Sequence, residues 1–380
     1  MGAPEAQRDG RQPAADARTG DGRTFDGRTG DGLAGHGLGG PGEAGDGAAG
    51  DGAAGDGAAG DGRAPATAAA AGTPPAPGTP GWLPSGVLPA LATPMDSGGE
   101  LDRSGLDRLL DHVLAHPVTG IAPTGSTGEG PLLSRQARVA VAARVAARAG
   151  VGRAVVPAVV ATTADDVQAD LEAYAEAGAH AALVGTPFYY PMDAAAVARW
   201  FTGVAERSPL PLLLYHIPPM TKVRIPADVA GELATHPRIV GMKDSSRDFE
   251  YFQSVLAATD GLQFGLLTGS DTLLLASGLL GGAGTIAASV NLVPGLVTSL
   301  WSAVQARDLE QARSIQFRLQ AVVEAARRAG GPPGWKAALE LAGICGARAA
   351  NPNTGITEAA RLQLRDDLDR LGVLTAARTG

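Results

Sequence analysis

From Gly86 onward, short continuous apolar runs alternate with longer stretches whose apolar residues recur every three or four positions. The runs are GVLPAL (86–91), GIAPT (120–124), AVVPAVV (154–160), AALVG (181–185), LPLLLYHI (210–217), IVGMKD (239–244), LQFGLLTG (262–269) and AGTIAA (283–288). They lack the polar–apolar alternation of a half-exposed strand, so they predict strands of a parallel sheet covered on both faces. The helical period predicts helices over 104–115, 134–149, 163–177, 193–207, 226–235, 247–258, 271–280 and 292–305. Ser134, Thr163 and Asp193 stand where an N-cap belongs. Eight strand–helix units make the expected fold class α/β, a (β/α)8 TIM barrel over residues 81–305. An open doubly wound sheet is the rival. It usually has fewer units, and no Gly-rich phosphate turn follows the first strand here. The GGAG at 281–284 precedes a strand instead of joining a strand to a helix. Beyond 305 only helical periods follow, over 307–329, 335–343 and 357–371. They predict a C-terminal helical appendage, residues 306–380, packed on the barrel.

The first 80 residues break this pattern. GDGAAGDGAAGDGAAGDGRA (45–64) repeats every five residues, and nearly all of the segment is Gly, Ala, Asp, Arg, Thr and Pro. So little apolar surface does not offset the entropy of ordering the chain, and residues 1–80 are expected to form a disordered tail. Calcium-binding Gly/Asp repeats have a nine-residue period with a large apolar residue in each unit, which this segment does not match. A start codon placed too far upstream would also produce such a tail.

Charge and cysteine content narrow the partners. The formal charge is −8, and the first 80 residues hold 11 acidic and 6 basic side chains. The remainder is near neutral with no basic stripe, so nucleic acid is not an expected partner. No apolar run suggests a signal peptide or a membrane span. The single cysteine, Cys345, excludes an intramolecular disulfide framework and a multi-cysteine metal site. A cytoplasmic protein is the expectation.

Composition also draws attention to one residue. Of 31 basic side chains only three are lysine: Lys222, Lys243 and Lys336. Arginine stays protonated, whereas lysine can lose its proton and attack a carbonyl. In a TIM barrel the chemistry sits at the C-terminal strand ends. Here those ends carry PTGSTGEG (123–130), TPFYYP (186–191), Tyr215 with His216, Lys243 with Asp244, and TGSD (268–271). Singly, each has a plain structural reading: a tight turn, a packed tyrosine, a surface ion pair worth under about 1 kcal/mol. The histidines show no metal spacing and read as structural. On consecutive strand ends of one barrel, the residues together point to Schiff-base catalysis. Burial would bias Lys243 toward its neutral form; moving a lysine from pKa 10.4 toward 7 takes about 4–5 kcal/mol. The amine would attack a ketone, and the resulting iminium would draw electrons from the neighbouring carbon. Ser126 and Thr127 could hold a keto-acid carboxylate, and a tyrosine near the imine could shuttle protons.

At these residues the sequence resembles a known family. GSTGE (125–129), YHIP (215–218), GMKDSS (241–246) and GGAGTIAASVN (281–291) resemble the dihydrodipicolinate synthase / N-acetylneuraminate lyase family of pyruvate-dependent class I aldolases. KAALELAGI (336–344) resembles its C-terminal helical region. The resemblance, from about Gly86 to Leu374, implies a (β/α)8 barrel forming a homotetramer or homodimer, with no metal and no organic cofactor. It implies Lys243 as the Schiff-base lysine and Tyr215 as the proton relay. Ser126 and Thr127 would be the pair that binds the pyruvate carboxylate. Tyr189 would match the tyrosine that a neighbouring subunit contributes in the synthases. Gly125, Asp271 and Ile286 complete the expected substrate-binding set. The partners would be a small 2-keto acid and an aldehyde.

Three departures bear on the substrate. The synthases place a carboxylate-binding arginine two residues after the proline of the tyrosine motif, where YHIPPMTK puts Met220. A thioether cannot replace its bidentate contact unless Lys222 or an arginine elsewhere substitutes. The sialic acid lyases use Gly-Tyr-Asp-Glu where this chain has GSDT (269–272), and a serine where it has Ala288. TPFYYP, with Phe first, resembles the lyase branch. The expected function is therefore a Schiff-base aldolase or lyase joining or cleaving pyruvate, or a related 2-keto acid, and an aldehyde. The alternatives are 4-hydroxy-tetrahydrodipicolinate synthase, acting on pyruvate and aspartate semialdehyde, and a non-catalytic keto-acid-binding barrel.

Overall fold

Successive side chains of a strand point to opposite faces, and in this chain both faces find an apolar cover. The computed structural model describes residues 76–350, 352 and 354–376. Its strands are β1 (Gly86–Pro89), β2 (Gly120–Ile121), β3 (Ala154–Val155), β4 (Ala158–Val159), β5 (Ala182–Gly185), β6 (Leu212–His216), β7 (Ile239–Asp244), β8 (Gly265–Thr268) and β9 (Gly284–Ala287). They pair in parallel in the order β1-β9-β8-β7-β6-β5-β4, with β2 on β3. β3 and β4 are halves of the one expected strand, parted at Pro157, which has no N–H to give to a ladder. β1 and β2 are joined through Ala90 and Ala122: Leu91 N–H donates to the Ala122 carbonyl and Ala122 N–H to that of Pro89, both at 2.9 Å. The sheet thus closes on itself as an α/β barrel.

Around it run α1 (Arg103–Leu114), α2 (Arg135–Ala149), α3 (Ala164–Glu176), α4 (Ala194–Arg207), α5 (Pro218–Thr221), α6 (Ala227–Leu233), α7 (Phe249–Ala258), α8 (Leu274–Leu279) and α9 (Pro294–Gln305). Ser134, Thr163 and Asp193 accept from the N–H groups of Ala137, Asp166 and Ala196, as N-caps should. The expected helix 271–280 opens instead with a 3-10 turn, Asp271–Leu273. α5 is a short turn that the sequence reading did not include; Pro218 and Pro219 preset its backbone.

The helices after the barrel are α10 (Leu309–Arg328), α11 (Gly331–Leu341), α12 (Glu358–Arg370) and α13 (Val373–Ala376). α11 begins at Gly331 and not at 335, because Pro332 and Pro333 fall in its first turn, where a missing N–H costs nothing. Leu319 and Val323 of α10, Trp335 and Leu339 of α11 and Leu368 of α12 share one buried cluster with Leu109 of α1 and Leu300 of α9. The appendage is therefore packed into the barrel's own outer core.

The disordered tail expected for residues 1–80 lies outside the described residues up to 75. Residues 76–80 make a turn, in which the Thr79 hydroxyl donates to the Ala76 carbonyl at 2.6 Å. Cys345 is buried, which pushes its thiol up to about 12 and leaves it protonated near neutrality. No described helix is long and apolar enough to cross a membrane.

Candidate active site

Strand parity decides which residues enter the barrel. On β6, Leu212 and Leu214 face the outer helices, whereas Leu213 and Tyr215 join Leu88, Leu183, Leu267 and Ile286 inside. On β7, Met242 faces outward, so Gly241 and Lys243 face in. Register then sets Tyr215 directly beside Lys243, and His216 beside Asp244. The inward pair brings an ammonium and a phenol together. Lys243 Nζ lies 3.5 Å from Tyr215 Oη and 4.5 Å from the ring centroid. Lys243 is 5% exposed and Tyr215 1%. The outward pair is a brace: His216 Nδ1 and Asp244 Oδ1 are 2.9 Å apart, and the same oxygen accepts from Ser246 N–H at 2.9 Å. Asp244 is thus engaged behind the strand, and the reading of Lys243–Asp244 as a surface ion pair does not hold.

The loop after β2 supplies the next group. Ser126 Oγ lies 3.2 Å from Tyr215 Oη, which completes a row from hydroxyl to phenol to amine. Among the described residues no acceptor takes the N–H groups of Ser126 and Thr127. The loop is held in an unusual shape, with Thr124 and Glu129 both left-handed at φ 61° and 55°. Thr124 Oγ1 donates to the Ala158 carbonyl at 3.0 Å, and Thr93 Oγ1 to that of Gly128 at 2.8 Å. Glu129 Oε2 accepts from Lys336 Nζ of α11 at 2.5 Å and from Ala350 N–H at 2.9 Å. Burial pushes the Lys336 ammonium below its ordinary pKa, and the Glu129 carboxylate opposes that shift. The third scarce lysine is therefore a structural tie between the appendage and this loop.

Lys243, Tyr215, Ser126, Thr127, Asp271 and Ile286 all line one cavity of about 190 Å³. Gly125 sits beside it and accepts from Gly130 N–H at 3.0 Å. Tyr189 does not reach this cavity in the single chain. It is 77% exposed and packs edge-on against Tyr190. Asp271 is buried, its Oδ1 accepting from Ser289 N–H at 3.1 Å. Gly269 lies against the lysine; a Cβ there would sit 3.0 Å from Lys243 Cε and 2.1 Å from Ser245 Oγ.

The structure also brings in residues that the sequence reading missed. Arg247, just past β7, and Arg327, from α10, line the same cavity, as do Ser245 and Trp335. Met220 stands at the rim, 62% exposed. Lys222 does not line the cavity; its Nζ donates to the Pro219 carbonyl at 2.7 Å.

Fold and buried amine together define a class, the Schiff-base lyases. Comparison with known proteins narrows it: the model of the Dihydrodipicolinate synthetase family matches residues 83–371, and the chain belongs to that family. A 4-hydroxy-tetrahydrodipicolinate synthase of Acidiphilium cryptum is 33% identical over 289 residues, 76% of this chain and 99% of that one. An uncharacterised DapA-like lyase of Halobacterium salinarum is 34% identical over 292 residues, 76% of this chain and 94% of its own. Among solved structures, the dihydrodipicolinate synthase of Bacteroides thetaiotaomicron has a TM-score of 0.73 at 29% identity, covering 76% of this chain and 99% of that one. A prophage protein of E. coli K12 from the same family, solved in complex with pyruvate, has a TM-score of 0.73 at 26% identity with the same coverage.

Proposed function

We propose that this lyase joins pyruvate, or a related 2-keto acid, to an aldehyde, or cleaves the product, through an imine on Lys243. The observation that carries the reading is the row Ser126–Tyr215–Lys243 at the foot of one cavity. The keto-acid carboxylate would rest on the Ser126 and Thr127 hydroxyls and N–H groups. Neutral Nζ attacks the ketone carbon, and the carbinolamine loses water to give an iminium. Loss of a proton from the methyl group gives an enamine. Its carbon forms the new bond to the aldehyde carbon, and the alkoxide takes up a proton. Water then releases the 4-hydroxy-2-keto acid and regenerates the amine. Tyr215 Oη, between the hydroxyl and the amine, is placed to carry protons to and from the carbinolamine oxygen. The cycle needs no metal and no organic cofactor.

Synthesis of 4-hydroxy-tetrahydrodipicolinate from pyruvate and aspartate semialdehyde is the second reading. Cationic side chains in the cavity and the names of several relatives favour it, and Met220 in place of the synthase arginine weighs against it. We further propose a homodimer or homotetramer in which Tyr189 serves a neighbouring subunit's site. The exposed Phe188–Tyr189–Tyr190 cluster suits burial against another chain.

Borohydride reduction in the presence of pyruvate tests the central step. The expected result is a pyruvyl adduct on Lys243 by peptide mass spectrometry, absent in Lys243→Arg. Folded wild-type protein without that adduct would remove the Schiff-base reading and leave a non-catalytic keto-acid-binding barrel.

A further inference from the structure

Resting on that reading, we infer that Arg247 and Arg327 form a subsite for an anionic group at the far end of the acceptor aldehyde. Arg247 has φ 64°, a left-handed backbone that favours glycine and strains an L side chain. Among the described residues its guanidinium makes no hydrogen bond or ion pair, although it lines the cavity that holds Lys243. Arg327 is likewise undersatisfied. Its closest carboxylate oxygen, Asp271 Oδ2, is 3.8 Å away, beyond hydrogen-bond reach. Burial pushes the Arg327 guanidinium below its usual pKa, and the charge of Arg247 adds to that push. Two like charges thus share the mouth with one carboxylate among the described residues that line it, Asp271, which leaves a place for a bound anion.

Position and charge both assign that anion to the acceptor. Ser126 and Thr127 follow β2, whereas Arg247 and Asp271 follow β7 and β8, across the barrel from it. One end of the cavity therefore takes the keto-acid carboxylate and leaves the arginine end open. Three cations, Lys243, Arg247 and Arg327, line the cavity with one carboxylate, Asp271. The keto-acid carboxylate lies at the other end and the enamine that meets the aldehyde is uncharged, so at the arginine end two guanidinium groups face the one carboxylate of Asp271. A single positive charge remains for the second substrate. A cavity of 190 Å³ lies below the roughly 300–1,000 Å³ of pockets for drug-sized ligands, so the acceptor is a short aldehyde acid or phosphate. The arginines do from the turn after β7 and from α10 what Met220 cannot do from α5.

The test is a ratio measured on the full chain with pyruvate as donor. Glyoxylate, succinate semialdehyde and glyceraldehyde 3-phosphate are compared with glycolaldehyde, butanal and glyceraldehyde. Wild type should show higher kcat/KM for the anionic member of each pair, and the best pair tells carboxylate from phosphate. Arg247→Gln and Arg327→Gln should each lower the anionic-to-neutral ratio about 10- to 100-fold, as loss of a charge-assisted hydrogen bond does. Arg247→Lys should retain part of the preference. Arg247→Gly, which the left-handed backbone favours, removes the guanidinium without threatening the fold. Each variant is first trapped with pyruvate and borohydride. A Lys243 adduct with no anionic preference in wild type, or with a ratio unmoved by the substitutions, overturns the subsite alone. No adduct in wild type overturns the Schiff-base chemistry and the subsite with it.

Discussion

Replacing Lys336 by methionine should destabilise the protein far more than a surface charge deletion would. Lys336 and Glu129 side chains are both 1% exposed and lie 2.5 Å apart, and Lys336 Nζ also donates to the Arg348 carbonyl at 2.8 Å. Methionine matches the length of the lysine stem but leaves the Glu129 carboxylate buried without its ammonium. Breaking a buried pair on one side costs about 3–5 kcal/mol, about a fifth or more of a typical total of about 5–15 kcal/mol. At an m-value of about 3 kcal/mol/M, the urea midpoint should fall by about 1–2 M. A double variant separates charge burial from lost packing. Lys336→Met with Glu129→Gln removes both charges and should recover most of the deficit. A single-variant deficit under about 1 kcal/mol, or a double variant no better than the single, would refute the account.

Other outcomes follow from the same geometry. Tyr215→Phe keeps the buried ring and removes the relay, so kcat should fall about 10²- to 10⁴-fold, measured by coupled turnover. Gly269→Ala should slow formation of the Lys243 adduct in stopped-flow trapping, because the new Cβ crowds Lys243 Cε and Ser245 Oγ. Arg144 beside Asp107 and Arg328 beside Asp367 hold those carboxyls below the usual range. Unfolded chains bind these protons first, so the stabilisation is complete above about pH 3.9 and is lost as pH falls through the lower folded values. Asp367→Asn should therefore show a shallower loss of stability between pH 7 and pH 2 by circular dichroism.

Much of the barrel was legible because its strands are buried on both faces and its helices on one, which leaves distinct periods in the sequence. The expected strand ends placed Tyr215 and Lys243 in neighbouring elements, and register made them touch. Local chemistry blurred the boundaries: Pro157 cut one strand in two, and Pro332 and Pro333 opened a helix instead of delaying it. The arginines were not legible. A helical period over 307–329 does not say which turn overhangs the barrel mouth, so Arg327 gave no signal. Arg247 lies past the strand end, and an arginine in the sequence does not announce a left-handed backbone. The Glu129–Lys336 tie spans 207 residues and has no local signature at either end.

The way the sheet closes has a consequence for its synthesis. Asn291 clamps β1 by donating to the Ala90 carbonyl and accepting from Ala92 N–H, across 201 and 199 residues. At translation rates of about 5–20 residues per second, Ala90 waits about 10–40 s for that clamp to be made. Throughout that interval the nascent sheet keeps an open edge, of the kind that recruits foreign strands. The catalytic mouth waits longer still, since Arg327 and Lys336 come after Asn291. A ribosome that stalls in the last fifth of the message would release a barrel able to curl but lacking its roof.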